Sequence, residues 1–154
     1  MASSSLLNTR TTNLIELLGN GSVYRVPPYQ RDYSWTEEQW DDLWTDILRV
    51  HEHLSERHYM GALVVEAKSD REFQIIDGQQ RLATLSILAL AVIDRLNSMP
   101  GDAVISEANR ERAAALRSRF IGEKDPASLV ESSKLFLNET DDAFYQDYLV
   151  QLRA

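Results

Sequence analysis

One junction constrains this chain more than any other. Phe73-Gln74-Ile75-Ile76 is a short β-favouring run, Asp77-Gly78 ends it, and Gln79-Gln80-Arg81 leads at once into an apolar stretch from Leu82 to Ile93. With no room for a loop, the chain must pass from strand to buried helix through one tight turn. Such a turn leaves the first N–H groups of the helix without intrahelical partners and points the positive end of the helix dipole into the mouth. Gly78 can adopt φ > 0 or admit a ligand close to the backbone. Arg81 can fork onto a phosphate, and Gln79 and Gln80 can hold a water or an oxyanion. Asp77, the one carboxylate of the motif, is the candidate general base or ligand for a metal such as Mg²⁺. The competing reading is structural: Asp77 caps the helix by accepting from the N–H groups of Gln79 and Gln80, Gly78 serves the turn, and Arg81 pairs with a surface carboxylate. The pile-up of polar groups, where small or apolar residues would cap as well, favours a phosphate site.

A second candidate lies upstream in Val26-Pro27-Pro28-Tyr29-Gln30-Arg31-Asp32-Tyr33-Ser34-Trp35. The prolines stiffen the backbone and prevent pairing as a central strand. Pro28 and Tyr29 then present an apolar and aromatic surface, and Gln30 and Arg31 project donors from it. That combination suits a DNA backbone phosphate, or a modified one whose sulfur is softer and less hydrated than oxygen. The alternative is that Tyr29, Tyr33 and Trp35 are core and Arg31 ties the loop to a carboxylate. On residues alone the two readings stand level.

Around these blocks the pattern predicts an α+β fold, a small mixed sheet with helices packed on it. Positions 1–10 read as a loose leader and 11–154 as one domain, of ordinary size for a single core. Thr12 or Asn13 caps a short helix ended by Gly19, and Val23–Val26 is a strand. Thr36 with Gln39 makes a capping box, after which Trp40, Leu43, Trp44, Ile47 and Leu48 keep helical spacing. Tyr59–Glu66 and Glu72–Ile76 form a hairpin around Lys68-Ser69-Asp70-Arg71. Leu82–Leu96 is a core helix, Ile105–Phe120 a polar one, Leu135–Leu137 a strand, and a last helix starts at Asp141. The pattern is still helical at Ala154, so the chain is expected to be the N-terminal part of a longer protein.

Charge and composition narrow the function. A net charge of −8 repels nucleic acid, so any DNA contact must be a local patch such as Arg10, Arg25, Arg31 and Arg81. The arginines of 110–124 alternate with Glu111 and Glu123 and read first as a solvated helix face. The absence of cysteine excludes disulfides and thiolate metal sites and fits a reducing cytoplasm. No apolar run is long enough to span a bilayer, so no membrane partner is expected. His51, His53 and His58 are spaced poorly for a zinc site and read as solvated residues near a helix end.

Four blocks, in order, resemble the N-terminal domain of GmrSD-type modification-dependent restriction enzymes and relatives such as SspE. They are Ile75-Ile76-Asp77-Gly78-Gln79-Gln80-Arg81-Leu82, the Pro28-Tyr29-Gln30-Arg31 segment through Trp35, Tyr59-Met60-Gly61-Ala62-Leu63-Val64 and, more weakly, Lys134 to Asp141. The resemblance implies a ParB/sulfiredoxin-like domain whose Asp-Gly-Gln-Gln-Arg motif binds and hydrolyses a nucleoside triphosphate. In that reading Gly78, Arg81 and Arg31 hold phosphate, Asp77, Gln79 and Gln80 serve catalysis, with Mg²⁺ at Asp77, and Pro28, Tyr29, Gln30 and Arg31 sense DNA. The partners it implies are a nucleoside triphosphate, modified DNA, and a nuclease module or partner subunit that these 154 residues do not supply. A binding module that senses modified DNA without turnover is the alternative.

Overall fold

The computed structural model describes residues 9–53, 61–129 and 132–151. Most of the leader, the strand start at Tyr59-Met60 and His58 lie outside them. The fold is α+β: a four-stranded mixed sheet with five helices packed on it.

The chain opens with α1 (Leu14–Leu18), capped by Asn13, whose Oδ1 accepts from the Glu16 N–H at 2.9 Å. Strand β1 (Val23–Arg25) follows and becomes the sheet interior, parallel to β3 (Glu72–Asp77) on one side and to β4 (Leu135–Phe136) on the other. β2 (Val64–Ala67) pairs antiparallel with β3 through the expected hairpin, with a register shift between Val64 and Val65. The spatial order is β2-β3-β1-β4.

Between β1 and β2 runs α2 (Glu37–Glu52), where the Thr36 backbone N–H donates to Gln39 Oε1 at 2.8 Å as the capping pattern predicts. The twenty-residue α3 (Gln79–Ser98) starts three positions earlier than its apolar run, and it buries Leu82, Ala83, Ser86, Leu90 and Ile93. α4 (Ala103–Phe120) packs along it through Ala113. α5 (Glu139–Phe144) continues as a π-helical turn, Tyr145–Val150, that returns Tyr145 and Val150 to the core.

Ile75 and Leu135 from the sheet meet Leu18, Leu82, Leu90, Ile93, Ile121 and Tyr145 from the helices in one core. Tyr24 stacks on Phe73 at 5.6 Å and donates its hydroxyl to Leu17 O at 2.8 Å. Burial pushes the Tyr145 hydroxyl up to about 12. Arg117 closes the core edge by donating to the Val150 carbonyl. No helix among the described residues is long and apolar enough to cross a membrane.

Candidate functional site

β3 carries Asp77 at its C-terminal end, and Gly78 turns the chain into α3. Gly78 is the N-cap at φ +99°, and no side chain caps the helix. The structural alternative for Asp77 is thereby corrected: its carboxylate does not cap α3. Asp77 is the exposed last residue of β3, and its carboxylate forms no hydrogen bond or ion pair among the described residues. The left-handed turn at Gly78 makes glycine the cap. A Cβ at Gly78 would also lie 2.9 Å from Ala62 O and 3.0 Å from Leu63 Cδ1, so glycine is required twice over. The first intrahelical bond, Leu82 N–H to Gly78 O at 3.2 Å, leaves the N–H groups of Gln79, Gln80 and Arg81 outside the helix ladder.

The side chains of this turn diverge. Arg81 leans over Gly61, where a Cβ would overlap its Nη1, and its Cζ stands 5.7 Å from the Trp35 ring centroid. With Trp35, Gln39, Asp42, Leu43 and Asp46 it lines one cleft. Gln79 and Gln80 are buried and face a second cleft, which they share with Arg31, Tyr33, Asn138 and Asp141. Arg31 is exposed, and neither arginine has an ion pair among the described residues. The motif thus brings Arg31 to Gln79 and Gln80, and it sends Arg81 to the other side of the helix mouth.

Gln80 is engaged through both amide atoms. Its Nε2 donates to Asp32 O at 3.1 Å and its Oε1 accepts from the Ser34 N–H at 2.8 Å. Gln30 Nε2 likewise donates to Ile76 O at 3.1 Å. These bonds fasten the Pro-Tyr-Gln-Arg loop to the end of β3 and the start of α3. Tyr29 projects from that loop 75% exposed, beside an exposed Pro28. The Trp40 indole N–H donates to Tyr33 Oη at 2.7 Å, and Thr84 Oγ1 donates to Gln80 O at 2.8 Å. With its own proton so committed, Thr84 Oγ1 must accept from the Tyr33 hydroxyl across their 2.6 Å contact.

Three contributors carried no role in the sequence reading. Gly61 is the seat of Arg81. Asn138 caps α5, accepting from the Asp141 N–H at 2.9 Å, and its Nδ2 clamps Gln30 O at 3.2 Å and Asp32 Oδ1 at 2.7 Å. Asp141 accepts from the Tyr33 N–H at 2.7 Å. Gly61 and Asn138 sit inside the third and fourth sequence blocks, so the signal was present without a mechanism attached. All four blocks meet around the start of α3.

A sequence model described as "GmrSD restriction endonuclease, N-terminal domain" matches residues 12–153. No curated protein matches the chain.

Proposed function

This chain belongs to the family of GmrSD restriction endonuclease N-terminal domains, and on that premise we propose that it is a nucleoside triphosphate-binding and -hydrolysing regulatory domain. As a family member it is part of a restriction endonuclease system. In the proposed role it couples sensing of modified DNA to a nuclease module. One observation carries the reading: a twenty-residue helix without a side-chain cap opens between two guanidinium groups, Arg31 and Arg81, that lack ion pairs among the described residues.

Charge neutralisation and positioning supply most of the catalysis in phosphoryl transfer. The N–H groups of Gln79, Gln80 and Arg81 receive a phosphate at the positive end of α3, while Arg31 neutralises it from one cleft and Arg81 from the other. Gly78 keeps that approach open. Asp77 orients the attacking water or engages Mg²⁺. No group of three His, Cys, Asp or Glu residues converges among the described residues, so the donor set fits a cation carried in by the phosphates. Gln79 faces the cleft and positions water. Gln80 acts through the loop it clamps, holding Arg31 in range. Pro28, Tyr29 and Arg31 form the DNA-sensing surface, with Gln30 fixing its base.

The exposed Tyr29 favours a second reading, a sensor of modified DNA without turnover. Nucleotide titration with phosphate release followed in parallel separates the two. The proposal expects saturable binding and release, both lost in Arg31→Ala. Release unaffected by Arg31→Ala contradicts it, and selective binding of a modified duplex with no release supports the second reading.

A further inference from the structure

α2 presents an apolar stripe that the described residues leave half exposed. Trp40, Trp44 and Leu48 succeed one another at four-residue intervals and are 44%, 50% and 39% exposed, while Leu43 is the residue α2 buries fully. The bond from the Trp40 indole N–H to Tyr33 Oη fixes that ring in its outward setting, so little side-chain entropy remains to be lost on contact. The helix carries six carboxylates against one arginine. They are placed at helical spacing to the stripe: Glu37 three residues before Trp40, Asp41 three before Trp44, and Glu52 four after Leu48.

That charge selects the occupant. A second copy of α2 would set the same carboxylates against one another, and duplex DNA is repelled by them. An apolar ligand without charge leaves the acidic flank unused. We infer that α2 is a docking helix for a basic, apolar-faced polypeptide segment, with Trp40 and Trp44 as anchors and Glu37, Asp41 and Glu52 as the charged rim. Tryptophan dominates such interfaces because it buries a large rigid surface, and rim charges set partner choice and encounter rate.

The test uses the full chain and a short amphipathic leucine/lysine helix as probe, with the matching leucine/glutamate helix as control, followed by calorimetry. The lysine peptide should bind with one peptide per chain and the glutamate peptide should not. Trp44→Ser with Leu48→Ser should weaken binding by about tenfold or more, whereas Val104→Ser with Ile105→Ser, at another exposed apolar pair, should leave it unchanged. Asp41→Lys, a surface change that leaves the stripe intact, should cut affinity for the lysine peptide and raise it for the glutamate peptide. Equal lysine-peptide affinity in wild type and the stripe variant overturns the inference, as does indifference to Asp41→Lys. Stripe-dependent self-association in sedimentation, or stripe-dependent binding of a DNA duplex, assigns the face to another occupant and overturns it too.

Discussion

Adding one methyl group at Gly61 should disable Arg81 from the opposite side of the site. Gly61 stands at φ +99°, and a Cβ there would overlap Arg81 Nη1 and lie 3.0 Å from Cζ. The obstacle is the mobile end of a long side chain, so the guanidinium swings away and the backbone stays. Two costs follow for stability: about 1–2 kcal/mol for a non-glycine residue in the left-handed region, and about 0.5–1 kcal/mol for the lost cation–π contact with Trp35. Chemical denaturation of Gly61→Ala should therefore show a loss of roughly 1.5–3 kcal/mol. The functional cost is separate. A displaced Arg81 forfeits a charge-assisted phosphate contact of about 1.5–3 kcal/mol, or roughly 10- to 150-fold in nucleotide affinity. Nucleotide titration of Gly61→Ala, Arg81→Ala and the double variant closes the cycle. Either single change should give the same loss, and the double should be no weaker. Normal affinity in Gly61→Ala, or a further drop in the double variant, would refute the idea that Gly61 acts by seating Arg81.

Three further outcomes are expected. Asp77→Asn should leave the unfolding free energy within about 0.5 kcal/mol of wild type, since the carboxylate neither caps nor pairs among the described residues, and should abolish phosphate release; intact release removes Asp77 from the chemistry. Gln80→Ala strands the Ser34 N–H and the Asp32 carbonyl, so urea unfolding should report a loss of about 2–4 kcal/mol, and a change under 1 kcal/mol would mean the clamp is dispensable. Burial holds the Tyr145 hydroxyl at about 12 against 10.0 for a free tyrosine, so between those values the folded chain keeps a proton that the unfolded chain releases. Stability should fall as pH rises through that window by about 2–3 kcal/mol, and Tyr145→Phe should remove that share of the slope; an unaltered slope refutes it.

Much of the fold was legible because its signals are local. The Asn13 cap, the Thr36–Gln39 box and the alternation around Lys68–Arg71 each placed an element within a few residues. What failed was local logic applied to a non-local site. Asp77 resembles an N-cap in sequence, but the cap position falls to Gly78 at φ +99°, where Ala62 and Leu63, more than a dozen residues away, also leave no room for a Cβ. Gln80 reads as a free amide until the loop holding Asp32 and Ser34 folds onto it. Trp40 and Trp44 keep a core helix's spacing, yet both stay half exposed on α2, whose buried position is Leu43. The apolar periodicity alone starts α3 at Leu82, because Gln79 and Gln80 are buried amides at positions where it looks for apolar residues, whereas the Asp77–Arg81 turn already marked the helix mouth.

The central claim is that phosphate binds at the mouth of α3, and amide chemical shifts read that location residue by residue. A nucleoside triphosphate added to labelled protein should move the backbone N–H signals of Gly78, Gln79, Gln80 and Arg81 most, together with the side-chain Nε–H signals of Arg31 and Arg81. The shifts should saturate together and vanish in the Arg31→Ala, Arg81→Ala double variant. Saturable shifts centred instead on Arg110 to Arg119 of α4, with the Gly78–Arg81 amides unmoved, would contradict the account.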